Sequence, residues 1–383
     1  MSKREALHKF YRSFKYRNVT KHYEKVYKNM QKGLGEPTEE GAEYEKGKKA
    51  WIEKWSGFPV KPDPMYFKLY SMFVGPDSRI VPENICRVNI EPCLNQERFR
   101  SFYADKNTWD MLFPSGIFPP TVFRCMDGIM YTKDYQRMTS FDNKKLYEIL
   151  NQYGARKFAV KPTRDSNSSH GFDTINLQDG KYYWGDKKTV VTANSLTDHV
   201  GNNFIVQPFM TQHPELSKFC KSSVNPIRII TYKSVKDDSI YVLRGGVLRI
   251  GFEGEENDGT HGNGKFVGIN DDGTLKHEAV DYLGKKVIIF NGIDFSQEHK
   301  LTNFDKVKEA AINVAKKVLH HRLLAFDIMI DEKGNPVVFE FNIDDFSMWL
   351  AQFTGEVAWG DFTDEIIEYS RENINKVKMM YLY

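Results

Sequence analysis

Two apolar runs near the end of the sequence carry polar groups where a plain core strand would not. LLAFDIMID holds Asp327, and GNPVVFEFNIDDF holds Glu340 and Asn342. In the second run Val338, Glu340 and Asn342 alternate with Val337, Phe339 and Phe341, so in a strand the Glu and the Asn share one face. A two-residue turn at Lys333 and Gly334 would pair Ile330 with Val337 and, three steps out, Asp327 with Glu340. Directly opposed side chains have Cβ atoms roughly 4.5 to 5.5 Å apart, and like charges placed so close need compensation. Two carboxylates and an amide oxygen suit Mg²⁺, a hard cation that keeps places in its shell for water and substrate phosphate. Asp327, Glu340 and Asn342 are therefore the expected magnesium ligands.

Magnesium points to a nucleotide, whose phosphates need further cations. Lys106, Lys161, Arg228, Arg244, Arg249 and Lys265 lie on six separate elements. Lys161 ends the strand-like FAVK and precedes TRDSNSSHG, a loop whose hydroxyls and backbone N–H groups suit phosphate. The loop is not a P-loop, and no G-x-G-x-x-G follows a strand. His261, in DGTHGNGKF, reads as a loop histidine outside the catalytic set.

The elements that must position these residues alternate irregularly. Residues 1–54 read as helices: Leu7, Phe10, Tyr11 and Phe14 follow the i, i+3, i+4, i+7 spacing, and Tyr23, Val26, Tyr27 and Met30 repeat it. Ten Lys or Arg against two Asp or Glu between Met1 and Lys32 give these helices a basic outer face. From Trp55 to Asn95 the many prolines suggest short strands and turns. Asp105 reads as the N-cap of a short helix, Ser140 or Asp142 starts another that ends at Gly154, and a further helix begins near Ser195. KFAVKP, FDTINL, YYW, FIVQPF, NPIRIITY and SIYVLRGGVLRIGF read as strands, with a tight Asp-Gly turn before YYW. Helices around Val307–Val318 and Thr363–Asn373 complete a chain best classed as α+β.

Composition bounds the reading. At 383 residues, 40% hydrophobic and 14% aromatic, the chain suffices for a core spread over two or three domains. A net charge of +3 gives no general case for a nucleic-acid partner. Cys86, Cys93, Cys125 and Cys220 form no CxxC pair, which fits a reducing compartment. No run approaches the ~18 apolar residues of a membrane span, so a soluble cytoplasmic protein is expected.

The order of these parts resembles the ATP-grasp superfamily over roughly residues 102–342. The resemblance is carried by Asp105-Lys106, FAVKP with its loop, IVQPF, NPIRI, LRGGVLRI, and FDI followed by FEFN. It implies a fold in which two α+β subdomains hold ATP, here with a helical N-terminal extension. By position, Lys106 and Lys161 would contact ATP phosphates, and residues 163–171, including Ser168, Ser169, His170 and Gly171, would close over them. Gln207, Pro208 and Phe209 would meet adenine, and Asp327, Glu340 and Asn342 would hold Mg²⁺. Arg228 and Arg244, with Arg249 as a third, resemble the arginines that tubulin-tyrosine-ligase-like members direct at the γ-phosphate. Gln207 stands where an acidic residue is common, and Gly171 is the only glycine of its loop.

The implied organisation is an extension at 1–54, an N-terminal part of the body at 55–104, and an ATP-grasp region at 105–383. Within that region a lid subdomain would span about 124–206 and a C-terminal one about 207–383. The N-terminal hundred residues are most similar to the sugar-transfer-associated branch, whose members accompany surface polysaccharide genes. The implied activity is an ATP-dependent carboxylate–amine ligase with an acyl phosphate intermediate. Alternatives are a small-molecule kinase and a non-catalytic nucleotide-binding scaffold. Expected partners are a small carboxylate and an amine or sugar-linked substrate, with peripheral membrane or lipid-linked sugar contact through the basic N-terminus.

Overall fold

The computed structural model describes residues 3–34, 41–164, 171–255, 259 and 262–377. Two units emerge, Arg100–Thr211 and the combination of Met1–Phe99 with Gln212–Tyr383. Each mixes helix and sheet.

The first unit contains β1 (Phe123–Met126), β2 (Ile129–Thr132), β3 (Lys157–Pro162), β4 (Asp173–Gln178), β5 (Lys181–Trp184) and β6 (Phe204–Pro208). They form one antiparallel sheet in the order β2-β1-β6-β3-β4-β5. Asp179 and Gly180 both take positive φ in the tight turn that the sequence predicted between β4 and β5. Alternation does the rest: Phe158, Val160, Phe204 and Val206 face a core closed by Leu146, Leu150 and Leu196. The helix Asn143–Tyr153 starts at Asp142, whose carboxylate accepts from the Lys145 N–H at 2.8 Å, and stops at left-handed Gly154.

The second unit begins with α1 (Lys3–Leu34), α2 (Ala42–Trp55) and α3 (Pro64–Val74). Its strands are β7 (Ile227–Lys233), β8 (Ile240–Val242), β9 (Gly246–Ile250), β10 (Lys265–Ile269), β11 (Leu275–Val280), β12 (Lys286–Val287), β13 (Ile289–Phe290), β14 (Ile293–Asp294), β15 (Leu323–Ile330) and β16 (Pro336–Asn342). The main sheet runs β12-β11-β10-β9-β7-β15-β16, with β8 also on β7. Ile230, Tyr232, Val247, Phe266, Leu323 and Ala325 join one core with Trp51, Trp55, Phe67, Tyr70 and Trp359, so α2 and α3 belong to the packing of this sheet. The helix Phe304–Ala315 packs against β7, β15 and β16.

Two expectations need correction. The segment 55–95 holds helices instead of short strands: α3 and a continuous helical run from Glu83 to Leu94 whose middle, Cys86–Ile90, is a π-helix. Two of its prolines mark helix starts. Pro64 follows the Asp63 N-cap, Pro82 precedes Glu83, and Pro92 lies inside the run, just past the π-helical turn, where it removes one backbone donor. In α1, Tyr23, Val26, Tyr27 and Met30 pack on the core as the periodicity implied, but Leu7, Phe10 and Phe14 face outward.

The run Glu83–Leu94 fastens the segment after β16. Glu83 accepts from the Trp349 N–H at 2.6 Å, Glu91 from the Asp345 N–H at 3.2 Å, and Arg87 pairs with Asp345. These three side chains recur every four residues, on one side of the run. Burial pushes both Glu83 and Glu91 up to about 7, against the lowering effect of Arg87. Burial opposes the charge of Arg87, but Tyr23, Glu91, Glu83 and Asp344 hold its guanidinium above the ordinary value.

A carboxyl whose folded value exceeds its unfolded value binds protons more tightly in the native state, so its contribution to stability falls as pH rises from about 4.5 to about 7. Buried His321, pushed down to about 4 by desolvation, works in the opposite sense. Comparison with a variant isolates the carboxyl. Glu83→Gln should reduce the loss of melting temperature between pH 5 and pH 8 relative to wild type, measured by thermal unfolding across pH. Identical pH profiles would contradict the assignment.

Candidate functional site

The hairpin β15–β16 brings the predicted carboxylates together by a different route from the one expected. A three-residue loop, Glu332 to Gly334, replaces the two-residue turn: Asp331 and Asn335 close it, and Gly334 has a φ of +81°. Asp331 Oδ1 accepts from the N–H groups of Lys333 and Asn335, which stabilises this longer form. The register therefore begins one residue off, with Ile330 opposite Pro336 and Met329 opposite Val337. A β-bulge at Phe339 then inserts one extra residue, and Asp327 faces Glu340 as predicted. Asn342 faces Ala325 and so shares the face of Asp327 and Glu340.

Strand pairing places two arginines on this face. Arg228 of β7 lies directly opposite Asp327, and its Nε and Nη2 donate to the two carboxylate oxygens at 2.8 Å each. Val247 of β9 is opposite Arg228, so Arg249, two residues on, points the same way, and its Nη1 donates to Asp327 Oδ1 at 3.1 Å. Burial alone would raise Asp327, but Arg228 and Arg249 outweigh it and hold the carboxyl at about 2. Arg244 is not part of this row. It lies at the bend between β8 and β9, mostly exposed, with Nε 3.2 Å from Asp271. Lys265 lies over the ring of Phe290 and donates to the Asn263 carbonyl.

The donor chemistry fits a hard cation. A carboxylate offers about four lone-pair directions, of which the arginines take three on Asp327. One remains on Oδ2, beside half-buried Glu340 and Asn342. Metal ligation needs the deprotonated form, which the arginines enforce at Asp327. Among the described residues no group of three His, Cys, Asp or Glu side chains is gathered for a metal, so this set rests on two carboxylates and one amide.

In the unit Arg100–Thr211 two of the other predicted residues fall on the sheet face away from its apolar core. Lys161 is opposite Ile205 and Gln207 opposite Ala159, so Lys161 and Gln207 share that face. Gln207 is buried, and its amide donates to the Pro119 carbonyl at 2.9 Å. Pro208 ends β6, and the Phe209 ring lies under the ammonium of Lys157 at 4.0 Å. Lys106 is buried against Trp109, and its N–H donates to the Thr163 carbonyl at 3.1 Å. Asp105 caps this turn as expected, accepting from the Asn107 N–H at 3.0 Å and from Arg164 at 2.7 Å.

Gly171 sits so close to Pro162 that a Cβ would meet the ring at 2.6 Å, and its φ is +76°, so the end of the loop requires glycine. Ser168, Ser169 and His170, like His261, lie outside the described residues.

Sequence reasoning missed Glu83, Arg87 and Glu91, which hold the segment beyond Glu340 and Asn342 in place. Their i, i+4, i+8 spacing was the available signal.

The sugar-transfer associated ATP-grasp family model matches residues 90–362. No curated protein matches the sequence. Solved structures with similarity include the D-alanine-D-alanine ligase from Coxiella burnetii, at 11% identity and a TM-score of 0.37, covering 72% of this chain and 59% of that one. The D-alanine-D-alanine ligase from Bacillus anthracis matches at 13% identity and a TM-score of 0.38, covering 72% and 69%. The ATP-grasp ligase PsnB, complexed with minimal precursor, Mg and ADP, matches at 14% and 0.36, covering 72% and 62%. The present chain spans under two thirds of the length of the Coxiella ligase. The family model, in contrast, covers well over half of the 383 residues, and the chain belongs to the sugar-transfer associated ATP-grasp family.

Proposed function

We propose that the chain is an ATP-dependent ligase that joins a carboxylate to an amine or related nucleophile through an acyl phosphate, in surface polysaccharide or sugar-conjugate biosynthesis. The observation that supports this most is the row Arg249, Arg228, Asp327 and Glu340, with Asn342 beside it, on one face of the main sheet. Lys106 and Lys161 would contact ATP phosphates, the 163–171 loop would cover them, and Gln207 to Phe209 would meet the adenine. Asp327, Glu340 and Asn342 would hold Mg²⁺. Bound there, Mg²⁺ would neutralise phosphate charge and orient the chain of phosphates.

A carboxylate resists attack by an amine because its oxygen is a poor leaving group. In the proposed reaction a substrate carboxylate oxygen attacks the γ-phosphorus and ADP leaves. The amine nitrogen then attacks the carbonyl carbon, orthophosphate leaves, and the nitrogen loses a proton. Arg228 and Arg249 supply fixed positive charge for the transferring phosphoryl group and the later tetrahedral oxyanion. Asp327 orients both guanidiniums beforehand, which lowers the reorganisation needed during transfer. Arg244, held near Asp271, is left out of this set.

A peripheral contact of the basic N-terminal helix with a membrane or a lipid-linked sugar would extend the range of acceptors. No helix among the described residues is long and apolar enough to cross a membrane.

Screening amino acids and uronic acids for stimulated ADP release tests the proposal, with phosphorus NMR to separate free orthophosphate from a phosphoester. Wild type should release ADP and orthophosphate only with a carboxylate acceptor, and Glu340→Gln should lower that rate by at least ~100-fold, as expected for losing a group that stabilises transferring charge. A phosphoester product would favour a kinase. Unchanged turnover in Glu340→Gln would overturn the metal assignment.

A further inference from the structure

The helix α1 has two faces with opposite fates. One is fastened to the body: Met30 is fully buried, Tyr23, Val26 and Tyr27 pack on the core, Asn84 donates to Tyr16 Oη at 2.9 Å, and Arg12 donates to the Ile374 carbonyl at 2.8 Å. The other carries Leu7, Phe10, Phe14, Arg17, Lys21, Lys25 and Lys28, all exposed. These positions advance in steps of three and four, so at about 100° per residue they form a single straight stripe along the helix. Its first half is apolar, with Phe10 65% and Phe14 52% exposed, and its second half is wholly basic.

None of the four cations pairs with a described carboxylate, and Glu24, the only acid between residues 6 and 34, is half-buried off the stripe. Exposed aromatic side chains continuous with unpaired cations are the surface of an interfacial helix, whose rings enter the boundary of a bilayer while lysines meet anionic headgroups. A second copy fits poorly. Parallel pairing would set the basic halves against each other, and antiparallel pairing would lay phenylalanines on lysines.

We propose that this stripe docks the protein on an anionic phospholipid surface. The apolar half supplies burial and the basic half supplies attraction, two signals that add where either alone would be weak. Docking through α1 would serve an enzyme whose acceptor is held at a membrane, but it does not depend on the ligase reading. Vesicle binding requires no turnover, so either idea can fail while the other stands.

The test is co-sedimentation of the full chain with vesicles of phosphatidylcholine alone and of phosphatidylcholine mixed with phosphatidylglycerol, at low and high salt. Wild type should sediment with the mixed vesicles, less at high salt, and stay in solution with the neutral ones. Replacing Lys21, Lys25 and Lys28 with Gln should weaken partitioning by roughly a hundredfold, from about fivefold per lysine near an anionic surface. The triple variant Leu7→Ser, Phe10→Ser, Phe14→Ser should also abolish sedimentation while leaving the melting temperature unchanged, because these side chains do not contribute to the core. Equal binding to both vesicles, no binding to either, or unchanged binding by both variants would overturn the proposal. So would concentration-dependent self-association that the serine variant removes.

Discussion

Asp327 is a carboxylate inside a sheet, almost covered by protein, and an unpaired charge there would cost several kcal/mol. The bidentate bond from Arg228, on the adjacent strand and directly opposite, meets that cost and fixes two planar groups in one orientation. Arg249 extends the row by one strand and Glu340 by one strand on the other side. The same face of β7 and β15 continues into apolar residues, with Ile230 opposite Ala325 and Tyr232 opposite Leu323. The charged row thus stands at the margin of a packed core.

The charge balance of this row has a chemical consequence. Two guanidiniums offset two carboxylates, so a lone divalent cation gains little net attraction from it. Magnesium arriving with a nucleotide would be different, since the phosphates would bring negative charge of their own toward the arginines that Asp327 keeps oriented. The arginines keep Asp327 ionised and ordered, and in the proposed reaction they would also face the transferring phosphoryl group.

Much of this was legible in the sequence where a local rule decides the structure. The cap at Asp142, the stop at Gly154, the Asp-Gly turn and the alternation in β3 and β6 are set by residues within a few positions of one another. The opposition of Asp327 and Glu340 was also foreseen, although two errors cancelled in reaching it: the loop is one residue longer than expected, and the bulge at Phe339 restores the register. Bulges and loop lengths trade against each other, and alternation alone cannot separate them. The helical run Glu83–Leu94 was hidden because its prolines resemble turn residues unless their position relative to a cap is known. The outward turn of Leu7, Phe10 and Phe14 was hidden for another reason. Helical periodicity shows that apolar residues share a face, and only tertiary structure shows what that face meets. The fate of Arg244 similarly follows from the bend between β8 and β9.

In the proposed reaction Mg²⁺ and nucleotide would bind as one event at the Asp327–Glu340 row. Calorimetric titration of ATP into the protein with and without Mg²⁺, for wild type and Glu340→Gln, measures this coupling directly. Magnesium should strengthen ATP binding to wild type by at least ~10-fold, the size of a typical coupling free energy, should bind weakly by itself, and should have little effect in the variant. Equal enhancement by Mg²⁺ in both proteins would contradict the account.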